Sequence, residues 1–263
     1  MRYLTKRNRA ILREMVSTDF KVRYQGSLLG YMWSVLKPLF LFAILYVVFT
    51  YVFKVGRSIP HYPVYLLLGI VMWNFFTEAT VVGASSIVAH GELLRKISIP
   101  RYLVVVASSV SALINLVLSL VVVVVIAILN HLHPEPSWFI IPLLLLELFA
   151  FALAISFFLA AAYVKYRDIT YIWEIVLQAG FYASAIIFPL QLVPLHYQKW
   201  FFINPIVQMV QDARYASVTH DSITIWSRTG LPYVLLPFVI LIIVAVVAQV
   251  YFKRQSKLFA ENI

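Results

Sequence analysis

Six long apolar runs, parted by short polar segments, organise the chain. They cover residues 31–53, 62–85, 103–129, 138–164, 172–190 and 231–252. Crossing about 30 Å of hydrocarbon takes roughly 20 apolar residues in a helix, so each run reads as a membrane span. The third and fourth exceed that length and call for tilt. Lys37, near the start of the first span, is placed to snorkel outward. A mostly polar stretch of about thirty residues precedes the first run, which therefore reads as a retained span rather than a cleaved signal. The fold class expected is an all-α membrane protein with six transmembrane helices.

The segment 191–230, between the fifth and sixth runs, has a different rhythm. Trp200, Phe201, Phe202 and Ile203 lead into Asn204-Pro205, after which Ile206, Met209, Val210 and Ala213 recur at helical spacing. Short apolar helices broken by Asn-Pro predict re-entrant or interfacial helices on the outer face; a surface loop would leave these aromatics in water. Before the first span, Leu4, Ile11, Met15 and Phe20 alternate with Lys6, Arg9 and Arg13, the pattern of an amphipathic helix in the headgroup plane. The chain accordingly divides into an interface segment, 1–30, and a six-helix transmembrane domain, 31–263.

Composition agrees. Hydrophobic residues make up 62% of the 263 and charged residues 12%, against about 45–50% and 25% in soluble domains. A soluble fold could not hide this apolar surface. The absence of cysteine removes disulfide scaffolds, thiolate metal sites and cysteine nucleophiles.

The formal charge of +10 comes from 21 Lys and Arg against 11 Asp and Glu. With the N-terminus inside, sixteen of those cations lie on the inner side and five (Lys54, Arg57, Lys199, Arg214 and Arg228) on the outer. The positive-inside rule then puts both termini in the cytoplasm. Topology and affinity for anionic headgroups account for the surplus, and nucleic acid is not needed to explain it. Trp33, Trp138, Trp173 and Trp226 fall near span ends, as an interfacial belt requires. Trp73 sits well inside the second span and does not fit that belt.

Candidate chemistry is sparse. Glu78 and Glu147 are the acids inside spans, where an ionisable group is costly and usually functional; they are what a proton-coupled carrier would use. His131-x-His133-x-Glu135 alternates like metal ligands but lies in a short loop containing proline. No Gly-x-x-x-x-Gly-Lys-[Ser/Thr] phosphate loop occurs, so ATP-driven work would need another chain as its motor. Between the second and third spans, Glu92, Leu93, Leu94, Arg95 and Lys96 can form two helical turns bounded by Gly91 and Pro100. An apolar ridge flanked by charge suits docking to a protein or to the bilayer surface. Ser108, Ser111, Asn115 and Ser119 form a small polar stripe on the third span that suits helix packing. Phe42, Tyr46, Phe49 and Phe53 share a face of the first span. Lys21, Arg23 and Lys37 gather where a phosphate headgroup could be received by charge-assisted hydrogen bonds.

An ordered set of motifs carries a family resemblance over essentially the whole chain. It runs from Asp19-Phe20-Lys21-Val22-Arg23-Tyr24, through Ser27-Leu28-Leu29-Gly30, Trp33 and Lys37-Pro38, to Glu92-Leu93-Leu94-Arg95-Lys96 with Pro100-Arg101. It ends with Tyr166-Arg167-Asp168-Ile169 and Asn204-Pro205 followed by Arg214. This resembles the type-2 ABC exporter permeases for O-antigen, capsule, teichoic acid and similar envelope polymers. Ala185 departs from the pattern, many relatives having proline there.

The resemblance implies a homodimer in the cytoplasmic (inner) membrane, joined to two cytoplasmic nucleotide-binding ATPase subunits that hold the ATP and Mg. It implies that this chain has no cofactor and no catalysis of its own. The segment from Glu92 to Lys96 would be the coupling helix. The cargo would be an isoprenoid pyrophosphate-linked polysaccharide, passing channel aromatics among Phe42, Tyr46, Phe49 and Phe53. The rival readings are a proton-coupled secondary transporter and a membrane-embedded enzyme acting on envelope glycolipid.

Overall fold

The long apolar runs fold as helices because in hydrocarbon each backbone N–H and C=O must find its partner within the segment. A computed structural model describes residues 5–24, 26–27, 29–228, 231–257 and 259, and no strand occurs among them. The helices are α1 (Lys6–Tyr24), α2 (Met32–Val47, continued by a π turn Val48–Val52), α3 (Tyr62–Ala89), α4 (Gly91–Lys96), α5 (Arg101–Leu129) and α6 (Ile141–Lys165). They continue with α7 (Ile169–Ala183), α8 (Leu195–Phe201), α9 (Pro205–Ser217), α10 (Ile225–Arg228), α11 (Leu231–Val234) and α12 (Leu236–Gln255).

Among the described residues five helices are long and apolar enough to cross a membrane: Met32–Val52, Tyr62–Ala89, Arg101–Leu129, Pro136–Lys165 and Leu236–Gln255. The chain is therefore a multi-pass membrane protein. Helix α3 is apolar on all sides, and 72% of its most apolar stretch is buried, against 6% for the first span and 11% for the last. A helix hydrophobic all round belongs in the middle: α2, α5, α6, α7 and α9 all pack on α3, while α12 packs along α6. Trp73 belongs to that core, against Phe76 and Phe181.

The polar stripe of α5 is a packing seam against α3. Ser108, Ser109 and Ser111 are buried and donate back to Val105 O and Ala107 O on their own helix. The hydroxyls thus satisfy themselves and leave only small side chains at the contact.

The fifth apolar run is where expectation and structure part. The helix stops at Ala183 after 15 residues, about 22 Å of rise, instead of continuing to residue 190. The chain turns through Ser184 and then Ala185, whose φ is +50°. Apolar character alone could not reveal this break. A left-handed residue also explains why proline is absent here, since its ring fixes φ near −65°.

Ala185→Gly is expected to change stability by no more than about 1 kcal/mol, relief of the left-handed strain offsetting the lost methyl. Ala185→Pro is expected to cost about 3 kcal/mol or more. Melting temperatures of the two variants in detergent check this.

Candidate functional site

Two polar assemblies stand at opposite ends of α3. The first surrounds Arg214, which sequence reasoning counted among the outer cations and quoted in a motif without giving it a role. Its side chain is fully buried, yet no carboxylate pairs with it among the described residues. Three carbonyls take its protons instead: Nε donates to Tyr65 O at 3.1 Å, Nη1 to Ala185 O at 2.8 Å and Nη2 to Ile186 O at 2.6 Å. The guanidinium also stacks on the Tyr65 ring, 3.6 Å from its centre, a desolvated cation–π contact. Gly69 makes room for it, because a Cβ there would stand 2.6 Å from Nη2.

The other end of α9 grips the same break. Asn204 caps the helix by accepting from Ile206 N at 3.1 Å, and its Nδ2 donates to Ser184 Oγ at 2.9 Å. Tyr62 Oη donates to Ile187 O. The turn after α7 is thus fastened by α9 from both of its ends and by α3 from beside it. Most of α9 is buried, so the apolar spacing read from Ile206 to Ala213 marks a core helix.

The aromatics singled out on the first span lead into this assembly. Phe42 stacks on Tyr46, Tyr46 on Tyr62 and Tyr62 on Tyr65, with ring centres 5.7, 6.2 and 6.3 Å apart. Phe42, Tyr46 and Phe49 are half-buried and packed on the core around α3, while Phe53 is exposed and tilts against Phe49. The open face of α2 carries Phe40, Ile44, Val47 and Tyr51 instead.

The two intramembrane acids differ. Asn115 Nδ2 of α5 donates to Glu78 Oε1 at 2.7 Å, across the α3–α5 seam. Glu147 of α6 keeps Oε1 buried without a hydrogen-bond partner, while on α9 Gln208 Nε2 donates to Asp212 Oδ2 at 2.8 Å. Among the described residues no group of three or more His, Asp or Glu could hold a metal. Glu135 faces His220 Nε2 at 3.1 Å rather than joining His131 and His133.

The second assembly lies at the far end of α3, where α4 begins. His90 Nδ1 faces Ser86 O at 2.9 Å and Nε2 faces Asp19 Oδ1 of α1 at 3.3 Å. Both partners are acceptors, so the pocket favours the form of His90 with a proton on each ring nitrogen. The hydrogen bond to Asp19 raises its pKa, against the opposing effect of burial. Met15 is buried against Val104 and Ala107 of α5, and Ile11, Leu12, Val16 and Leu94 close around them. Arg7 donates to Ser98 O and Asn8 to Tyr102 Oη. Helix α1 is therefore bolted to the α4 hairpin and to the end of α5, a fixed brace beyond what its amphipathic pattern requires.

Within α4, Glu92, Arg95 and Lys96 are exposed, with Glu92 and Lys96 paired at 3.7 Å. Leu94 turns inward to α1 and α5, Leu93 is half-buried, and Ile97 is 49% exposed just beyond. Lys21 and Lys37 are exposed. The side chain of Arg23 lies outside the described ones, as do Leu4 and the Phe20 side chain.

Residues 12–217 match the ABC-2 type transporter family. Among curated relatives, an O-antigen export system permease protein RfbA of Myxococcus xanthus is 30% identical over 188 residues, 70% of either chain. One of the same description from Klebsiella pneumoniae is 25% identical over 252 residues, 94% of this chain and 92% of its own. The match takes in α1, α4, the α7 break and α9.

Two outcomes follow from the two assemblies. Arg214→Met leaves the buried carbonyls of Ala185 and Ile186 without a donor, at roughly 1–3 kcal/mol each, and Arg214→Lys cannot restore the fork. Both variants should melt well below the parent in detergent. At the other end, a raised folded pKa makes the His90–Asp19 contribution complete below the unfolded value of 6.5 and lost as pH rises through the folded value. NMR titration of His90 should place its midpoint above 6.5, and Asp19→Asn should bring it back down.

Proposed function

Since the chain belongs to the ABC-2 type transporter family, we propose that it is the membrane-spanning subunit of an ATP-driven exporter of lipid-linked polysaccharide. The relatives named as O-antigen export permeases support that class of cargo. In this reading two copies enclose the export path, and two separate cytoplasmic subunits bind ATP and Mg and perform the hydrolysis. The chain sits in the cytoplasmic membrane with both termini inside, as its sixteen-to-five division of cations favours. Helix α7 and the extended residues after it make the sixth crossing, and α8 and α9 dip back from the outer face.

The observation that carries the mechanism is the bolting of α4. A helix of six residues has no stability of its own, yet here it is held by α1, α3 and α5 through Leu94, His90 and the Arg7–Ser98 contact. Rigid attachment is what a lever between a motor and a transmembrane bundle needs. ATP binding draws the two motors together, and α4 passes that displacement to the paired ends of α3 and α5. A proton-coupled carrier would need an intramembrane acid free to load and release, and Glu78 is instead engaged by Asn115.

Docking is tested on the residues of α4 that face outward. Arg95→Glu with Ile97→Asp should abolish co-purification of the ATPase in mild detergent and stop ATP-driven export from proteoliposomes, while the permease keeps its melting temperature. Leu94→Asp should instead lower that temperature by opening the contact with α1. Retention of the ATPase by the first variant would sink the docking role of α4.

A further inference from the structure

Helix α12 runs along α6, while α7 leans on α3 and α6. Between the three lies an open groove of about 350 Å³. Its walls are Ile155, Phe158 and Leu159 of α6, Ile172 and Trp173 of α7, and Val244 of α12, with their neighbours. The one polar atom among these side chains, Trp173 Nε1, is turned away to Thr80 Oγ1 at 2.9 Å. A groove so lined offers nothing to water, and left void it would forfeit dispersion contacts along its length.

What sets this groove apart from ordinary lipid-facing surface is its mouth. Helix α6 ends at Lys165, α7 starts two residues after Arg167, and α12 carries Lys253 and Arg254 in its last turn. Lys165 and Arg167 are exposed, and among the described residues neither has a carboxylate partner. Each rests on a ring, Lys165 Nζ 4.9 Å from the centre of Tyr166 and Arg167 Cζ 5.1 Å from that of Tyr163. Lys165 also lies within electrostatic reach of Tyr251, whose ring packs at 5.1 Å on Phe158 of the groove wall. Among the described residues the acids of this region are Asp168 and Glu174, fewer than its cations. Length adds a constraint: from Lys165 back to Ile155 is ten residues, about 15 Å along the helix, half the thickness of the hydrocarbon core. That is the depth of one leaflet.

We propose that this groove is a binding site for an anionic diacyl phospholipid, one acyl chain lying between α6, α7 and α12 and the phosphate resting on Lys165 and Arg167. The depth fits a chain that ends at the bilayer midplane, whereas a polyprenyl chain would overrun it. The lipid gives the short α7 lateral support on the side that α12 leaves open. The site depends on neither the exported cargo nor the direction of transport.

Native mass spectrometry of the full-length protein, titrated with phosphatidylglycerol and with phosphatidylcholine of the same chains, tests the assignment. The parent should bind phosphatidylglycerol roughly thirtyfold tighter, as two headgroup cations confer. Lys165→Gln with Arg167→Gln, both on exposed positions, should bring the two lipids to parity. Phosphatidylglycerol brominated on its chains should quench part of the tryptophan emission, and that part should vanish in Trp173→Phe. Equal affinities in the parent, or a preference that survives the double variant, would overturn the site. So would stronger binding of an isoprenoid phosphate than of phosphatidylglycerol, which would give the groove to the cargo carrier. Loss of a dimer on Val244→Trp with lipid binding unchanged would make the groove a contact between copies and would overturn it as well.

Discussion

A buried guanidinium with no carboxylate partner among the described residues is the constraint on which the α7–α9 end of this protein depends. Taking a charge out of water costs several kcal/mol, and Arg214 recovers that through carbonyl dipoles and a ring. The dipoles are not interchangeable. Ala185 O and Ile186 O are free to accept because α7 has just ended, and the end of a helix leaves its carbonyls unpaired. The break in α7 and the burial of Arg214 thus require each other: a continuous helix would consume those acceptors, and without the arginine the unwound segment would leave them orphaned in an apolar setting. The left-handed Ala185 is the backbone conformation that brings both carbonyls to one cation.

That mutual dependence fixes α9 to α3, and α3 reaches the other assembly. Its 28 residues rise about 42 Å, from the Tyr62–Tyr65 stack at one end to Ser86 and His90 at the other. Along the way the helix is covered by α2, α5 and α6. An element so enclosed does not bend without disturbing all its neighbours, because packed interiors shift between discrete arrangements instead of deforming continuously. A displacement at α4 is therefore shared at once by α3 and α5, and α1 moves with them through Asp19 and Met15. The more lightly covered helices, α2 and α12, face outward with apolar side chains. They are free to meet lipid or another copy without breaking an internal contact.

How much of this could be read from residues alone follows from the range of the interactions. The five longest spans, the small polar stripe of α5 and the short helix at α4 were legible because each is a local pattern, set by the period of one helix and the thickness of a bilayer. The end of α7 was not: residues 184–190 are as apolar as those before them, and what stops the helix is an arginine thirty positions away. Leu94 shows the same limit. Spacing puts Leu93, Leu94 and Ile97 on one apolar side, but only the arrival of α1 decides that Leu94 faces inward and Ile97 outward. Phe42 and Tyr46 of α2 are half-buried for a related reason, since Tyr62 and Tyr65 of α3 supply rings that continue their stack. For Arg214 a partial signal did exist: it is the one cation of a helix whose apolar residues recur at core spacing, ten residues after the Asn of an Asn-Pro cap.

The acids repeat this logic at lower cost. Glu78 lies where α3 meets the self-satisfied serines of α5, and Asn115 is the side chain of that stripe that reaches across to it. One polar contact in a seam of Val, Leu and Ala adds little attraction, because alternative arrangements in a membrane also find partners for polar groups. Its larger effect is on register. Sliding α5 by one turn would strand an amide and a carboxyl among hydrocarbon side chains, whereas the apolar and small residues around them would tolerate the slip. Arg214 and Asn204 hold α9 to α3 and to the turn after α7 in the same manner. Polar groups inside this bundle thus fix which turn meets which, and the bulk of the cohesion is left to apolar packing around α3.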